Sequence, residues 1–284
     1  MTGAVRLRAA ALDPETRGRV LAAPAAAGRV HSTFARAVNL LWHDGRLVTL
    51  HGPGRLRAPF ALALEAWPAE SGVSPHQPVE RAGSRMSLGG MVVDVAAAET
   101  RDLRLQPAGS GPQALAWALA GVSPPPTAPG LASPAAEEEL RRLRDGIRTR
   151  DAARLLDGAR GLVGLGEGLT PAGDDCLVGV LAVLHAFAPA LAQAPAIRAG
   201  IAEAAAGTTL VAREFLRSAL DGRFAEVLVR LCSGAAGDAA ATAQELFEVG
   251  GTSGADTLRG VQLALEALGE AAPPAPQRRH RFRT

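Results

Sequence analysis

Two stretches of the chain hold residue types at spacings that do chemistry. In the first, Gly164-Leu165-Gly166-Glu167-Gly168-Leu169-Thr170-Pro171-Ala172-Gly173-Asp174-Asp175, three alternating glycines allow positive φ and leave backbone amides approachable. Thr170 followed by Pro171 predicts a helix start, with threonine as the cap and proline in the first helical position. The loop then ends on the positive end of a helix dipole, which predicts a site for phosphate or another small anionic substrate.

Asp174 and Asp175 bring two carboxylates to the mouth of a helix, Cys176 to Leu184, that is apolar on every side and therefore predicted to be buried. Desolvated charge requires compensation by a divalent cation, by arginines, or by amide and hydroxyl donors. The chemistry this suggests is Mg²⁺ held by Asp174 and Asp175 beside amide-held phosphate, or a carboxylate that polarises a substrate nitrogen. Asp174, four residues after Thr170, falls on the same helix face and turns back toward the loop. The ordinary alternative is that the aspartates complement the dipole and the glycines make a tight turn.

The second stretch, Gly250-Gly251-Thr252-Ser253-Gly254-Ala255-Asp256, repeats the pattern Gly-x-Thr-x-x-x-Asp found from Gly168 to Asp174 and leads into the last apolar helix. If the two helix starts converge, Thr252, Ser253, Gly254 and Asp256 join the site. Ser253 with Asp256 also has the form of a capping box, a purely structural role. Between the two stretches, Arg213 is placed to neutralise the aspartates or grip a substrate carboxylate.

Other candidates carry weaker signals. The six histidines form neither HxH nor HExxH, so no histidine-rich zinc site is indicated. His31 opens a strand-like stretch. His185, near the end of the apolar helix, reads as a partner for a helix C-terminus. Cys176 and Cys232 are too few and too far apart for a disulfide framework or a CxxC site, and Cys176 on a buried helix predicts an inert thiol.

The elements that must position these residues fall into two halves. Val38 to Trp42, a primed turn at Asp44-Gly45 and Leu47 to Leu50 predict a hairpin, with Phe60 to Leu64 and Met91 to Val95 as further strands. Seven alanine- and leucine-rich stretches of helical spacing follow: Ala135 to Asp157, Gly173 to Ala188, Pro195 to Ala206, Thr208 to Leu220, Phe224 to Cys232, Asp238 to Val249 and Ala255 to Leu268. The expected class is α+β. A β-rich domain, sheet or barrel, covers 1–120, a Pro/Ala/Gly linker 121–134, a helical bundle 135–270 and a disordered tail 271–284.

Composition excludes several mechanisms. All 30 basic residues are arginine and none is lysine, which removes a Schiff base and a Walker A phosphate loop. A formal charge of +2 gives no bulk electrostatic case for nucleic acid or membrane binding. The first residues lack the apolar stretch of a signal peptide and the longest apolar run is too short to span a membrane, so a cytoplasmic protein is expected.

The two motifs, GLGEGLTPAGDD at 164–175 and GGTSGADTLRG at 250–260, resemble a bacterial family long filed as a domain of unknown function that includes the AllH subunit of oxamate carbamoyltransferase. The resemblance covers most of the chain. It implies a role in ureide catabolism, in an AllFGH-type assembly that converts oxalurate and phosphate to oxamate and carbamoyl phosphate. Gly164, Gly166, Gly168, Thr170, Gly173, Asp174 and Asp175 match the first motif; Thr252, Ser253, Gly254 and Asp256 match the second. Cys176 and Gly251 depart from the residues expected there. Two functions are carried forward: a subunit of a carbamoyl- or acyl-phosphate-handling transferase, and a noncatalytic nucleotide- or metabolite-binding partner of a multi-subunit enzyme. Either implies partner subunits and a small anionic ligand, with Mg²⁺ but no organic cofactor.

Overall fold

The computed structural model describes residues 4–54, 57–123, 129–233, 238–248 and 251–270. The expected tail at 271–284, the middle of the expected linker (124–128) and Gly250 of the second motif lie outside the described residues.

The first hundred residues form β1 (Val5–Leu12), α1 (Pro14–Ala22), β2 (Ala26–Phe34), β3 (Ala37–Trp42), β4 (Leu47–His51), β5 (Ala61–Leu64), β6 (Pro78–Ala82), β7 (Arg85–Leu88), β8 (Met91–Asp94) and β9 (Glu99–Thr100). Antiparallel pairing of β1 with β5 closes the ring β1-β5-β4-β3-β2-β6-β7-β8, and β9 adds in parallel to β1. The sheet is therefore an eight-stranded barrel, which leaves no free edge within the ring. Leu40, Leu50, Leu62, Val79, Met86 and Met91 fill it. Asp13 caps α1 by accepting from the Glu15 amide at 3.0 Å.

The β3–β4 hairpin forms, but its turn differs from the primed type expected. Gly45 alone among the turn residues has positive φ (76°), while Trp42 N donates to Arg46 O at 2.8 Å. The loop is thus one residue longer, with only glycine in the left-handed region, and Asp44 is spared the strain that a primed turn imposes on both central residues.

After the barrel come α2 (Pro112–Leu119), α3 (Pro134–Thr149), α4 (Ala152–Leu162), α5 (Ala172–Phe187), α6 (Pro189–Ala192), α7 (Pro195–Ala204), α8 (Leu210–Leu220), α9 (Glu226–Cys232), α10 (Ala239–Phe247) and α11 (Ser253–Gly269). A second hydrophobic cluster, running from Leu105 to Ala267, holds them together. The stretch expected as one helix from Ala135 to Asp157 is two. Arg150 takes a left-handed conformation (φ 57°), and Asp151 caps α4 by accepting from the amides of Ala153 and Arg154.

α5 runs through the middle, with every residue from Ala172 to Ala186 buried. Against it lies α11, so close that a Cβ on Gly179 would sit 2.0 Å from the Thr257 carbonyl and one on Gly260 1.9 Å from the Cys176 carbonyl. Only glycine permits this approach, which brings the two helix starts side by side.

Ion pairs fasten the barrel to the helices. Arg46 in the β3–β4 turn donates through Nε to both oxygens of Glu214 on α8 at 2.7 and 2.9 Å. Leu47 N adds a third contact at 3.3 Å, and Glu214 is only 3% exposed. Arg223 reaches Asp13 at 3.3 Å and Glu15 at 2.8 Å. Among the described residues no helix is long and apolar enough to cross a membrane.

Candidate functional site

The glycine loop folds over the start of α5. Gly164, Gly166 and Gly168 have φ of 73°, 115° and 94°, a region that side chains strain. Gly166 is further constrained, since a Cβ there would come within 2.8 Å of Ala172 N. The loop is anchored by Leu165 N to Leu162 O and by Gly173 N to Leu165 O. No acceptor among the described residues takes the amides of Gly166, Glu167 or Gly168.

Asp174 turns back to this loop. Its Oδ1 accepts from Gly164 N at 3.1 Å and its Oδ2 from the Thr208 hydroxyl at 2.6 Å. Burial raises its pKa, and those two hydrogen bonds oppose the rise. Thr208 is in turn held by Arg213, whose guanidinium donates to the carbonyls of Ala205, Ala206 and Thr208. Arg213 therefore faces backbone rather than the aspartates, because three carbonyls left by the end of a short helical turn satisfy its planar fork. No arginine among the described residues forms an ion pair with Asp174 or Asp175.

Thr170 does not cap α5. Pro171 occupies the cap position, and the Thr170 hydroxyl instead meets the Ser253 hydroxyl of α11 at 2.8 Å. This contact joins the two motifs across 83 residues. Asp175 lies beneath it. Burial pushes its carboxyl well above the ordinary carboxylate range; hydrogen bonds from Ser253 and Thr170 oppose that push, and the charges of Asp256 and Asp174 add to it. Its Oδ2 is buried with no hydrogen-bond partner. Asp256, wholly buried, completes a group of three acids at the paired starts of α5 and α11, where two helix dipoles favour negative charge.

The remaining expected residues are placed differently. Thr252 occupies the cap of α11 without a side-chain bond, and Ser253 and Asp256 do not form a capping box, because Ser253 is already the first residue of the helix. Gly173 and Gly254 serve close packing. A Cβ on either would strike a backbone carbonyl, Leu162 at 2.0 Å and Leu246 at 1.7 Å respectively. Thr208 and Thr209 are additions that motif spacing did not single out: Thr209 caps α8 and its hydroxyl also donates to Leu169 O. Their one sequence signal is a hydroxyl pair at a helix start.

Among the described residues no group of three His, Cys, Asp or Glu side chains is arranged to hold a metal ion. Both oxygens of Asp174 are already engaged. An amide and a hydroxyl thus serve Asp174, whereas Asp175 Oδ2 keeps no partner. Cys176 and Cys232 are fully buried and their thiols are pushed up to about 12, so neither thiol is an activated nucleophile.

An eight-stranded barrel followed by a helical bundle, with a glycine loop and two helix starts gathered over buried acids, defines an α+β protein with two hydrophobic clusters. Family models identify it more closely. Residues 162–265 match the model described as oxamate carbamoyltransferase subunit AllH, and residues 8–100 match the AllH family N-terminal domain. The two matches together span most of the chain, and the chain belongs to the AllH family. No curated protein and no solved structure matches it.

Proposed function

We propose that this chain is a subunit of a carbamoyl- or acyl-phosphate-handling transferase of the oxamate carbamoyltransferase kind, acting in ureide catabolism together with partner chains. The family description, which names a subunit, supports the class of reaction and the partners. The observation that carries the ligand reading is the meeting of Thr170 with Ser253 above the unpartnered Asp175 Oδ2. In this reading the free amides of the glycine loop, helped by the dipoles of α5 and α11, take the phosphate or carboxylate of a small anionic substrate. Asp175 Oδ2 accepts from a substrate N–H, as a carbamoyl or ureido nitrogen would offer. Lysine is absent from the chain, so phosphate charge is met by backbone and dipoles, preorganised rather than covalent.

Calorimetry of the purified chain with phosphate, carbamoyl phosphate and ATP, with and without Mg²⁺, tests this on wild type, Asp174→Asn and Asp175→Asn. Carbamoyl phosphate should bind to wild type and at least tenfold more weakly to both variants. Equal binding to all three would remove the aspartates from the site, and dependence on Mg²⁺ would restore the metal role. Turnover by the isolated chain, against binding alone, separates an enzyme from a partner subunit.

A further inference from the structure

We propose that a cavity at the opposite end of α5 from the glycine loop binds a small carboxylate that carries a neighbouring hydroxyl or N–H group. The cavity measures about 510 Å³, within the usual range for small-molecule sites. It lies where barrel and helices meet, with Glu15 of α1, Arg104 and Gln106 of the connecting segment, His185 of α5, Arg198 of α7 and Asp221 after α8 in its lining. His185 stands eleven residues beyond Asp174, about 16 Å further along the helix axis.

Two observations there point independently to a ligand. The first is His185, only 7% exposed, whose Nε2 is buried without a hydrogen-bond partner. A hydrogen bond to the Ala219 carbonyl engages the ring; burial and the positive charges of Arg198 and Arg104 lower its pKa and favour the neutral imidazole, while the Ala219 bond and Asp221 oppose them. A neutral ring that donates to a carbonyl presents its remaining nitrogen as an acceptor, and so calls for a donor. The second is Arg104, which makes a single side-chain bond, to the Asp221 carbonyl at 3.0 Å, and has no carboxylate partner among the described residues.

The acids of the lining do not fill that need. Glu15 is held by Arg223 and Arg19, and Asp221 by Arg198 at 3.1 Å. The unused donors of Arg104 therefore suit a ligand carboxylate, bidentate if the fork is free to turn, while a hydroxyl or N–H beside it answers His185. Gln106 supplies both donor and acceptor at the rim. Because the lining comes from both halves of the molecule, such a ligand would bridge barrel and bundle.

The test uses the full chain labelled with ¹⁵N-histidine, the His185 resonance being identified by His185→Gln, and titration with L-malate and with succinate, which lacks the hydroxyl. Malate should shift the His185 signal saturably and bind at least tenfold more tightly than succinate. Arg104→Ala, at an exposed position that leaves the core intact, should weaken malate at least tenfold without altering phosphate binding at the glycine loop. Equal affinity for malate and succinate, no saturable shift, or undiminished binding by Arg104→Ala would each overturn the proposal. If His185→Gln does not fold, the Arg104→Ala comparison decides.

Discussion

Thr170 and Ser253 touch hydroxyl to hydroxyl at 2.8 Å, and burial holds the carboxyl of Asp175 beneath them well above the ordinary carboxylate range. Burial lifts its carboxyl in the folded chain above the unfolded value near 3.8, so ionising it opposes folding. That stability is fully present below the unfolded value and is lost as pH rises through the raised one. Asp175→Asn cannot ionise. It should therefore raise Tm near neutral pH by the equivalent of about 1–2 kcal/mol, and the gain should vanish toward pH ~4. A Tm gain that is constant with pH in thermal melts would show that ionisation is not the cause.

Thr208 is the donor on which Asp174 leans. Thr208→Val keeps the shape but removes the hydroxyl, leaving Asp174 Oδ2 short of a partner. We expect a loss of about 1–2 kcal/mol in urea unfolding and faster hydrogen exchange at Gly164 N, which shares the same carboxylate. Unchanged exchange at Gly164 would separate the loop from Thr208.

Alanine normally favours a helix over glycine by about 0.5–1 kcal/mol. At Gly179 and Gly260 the sign should reverse, because each added methyl would meet a backbone carbonyl near 2 Å. Either substitution should destabilise by about 3 kcal/mol and weaken ligand binding at the paired helix starts. A neutral Gly179→Ala, measured by denaturant midpoint, would mean that α5 and α11 yield to accommodate it.

Glu214 is a buried carboxylate held by one arginine and one amide from the barrel. Arg46→Ala leaves that charge uncompensated, at about 3 kcal/mol, whereas Arg46→Ala with Glu214→Leu should recover most of it. Calorimetric melts of the single and double variants read this directly; equal Tm for the two would refute the pairing as the main tie between barrel and bundle.

Much of the helical half was legible in sequence because helical spacing is local. α5 announced itself by an unbroken apolar run, and its burial followed from that run alone. The break between α3 and α4 was not legible: Arg150 in a left-handed conformation is a nonglycine exception, and the Asp151 cap lies inside a pattern that reads as continuous. In the barrel, β7 alternates cleanly but over only four residues, too few to separate it from a loop, and closure through β1 and β5 is a long-range pairing that no local pattern carries.

The sequence by itself determined the family and the two motifs that carry it: an alternating glycine loop, two repeats of Gly-x-Thr-x-x-x-Asp and the absence of lysine are properties of order and composition. Tertiary structure decided what each partner does. Thr170 left its expected cap for Ser253, Arg213 turned to carbonyls instead of acids, and Thr208 supplied a hydroxyl donor to Asp174. Such choices depend on which groups burial brings within hydrogen-bond reach, and two helices pressed together at Gly179 and Gly260 set that distance in space rather than along the chain.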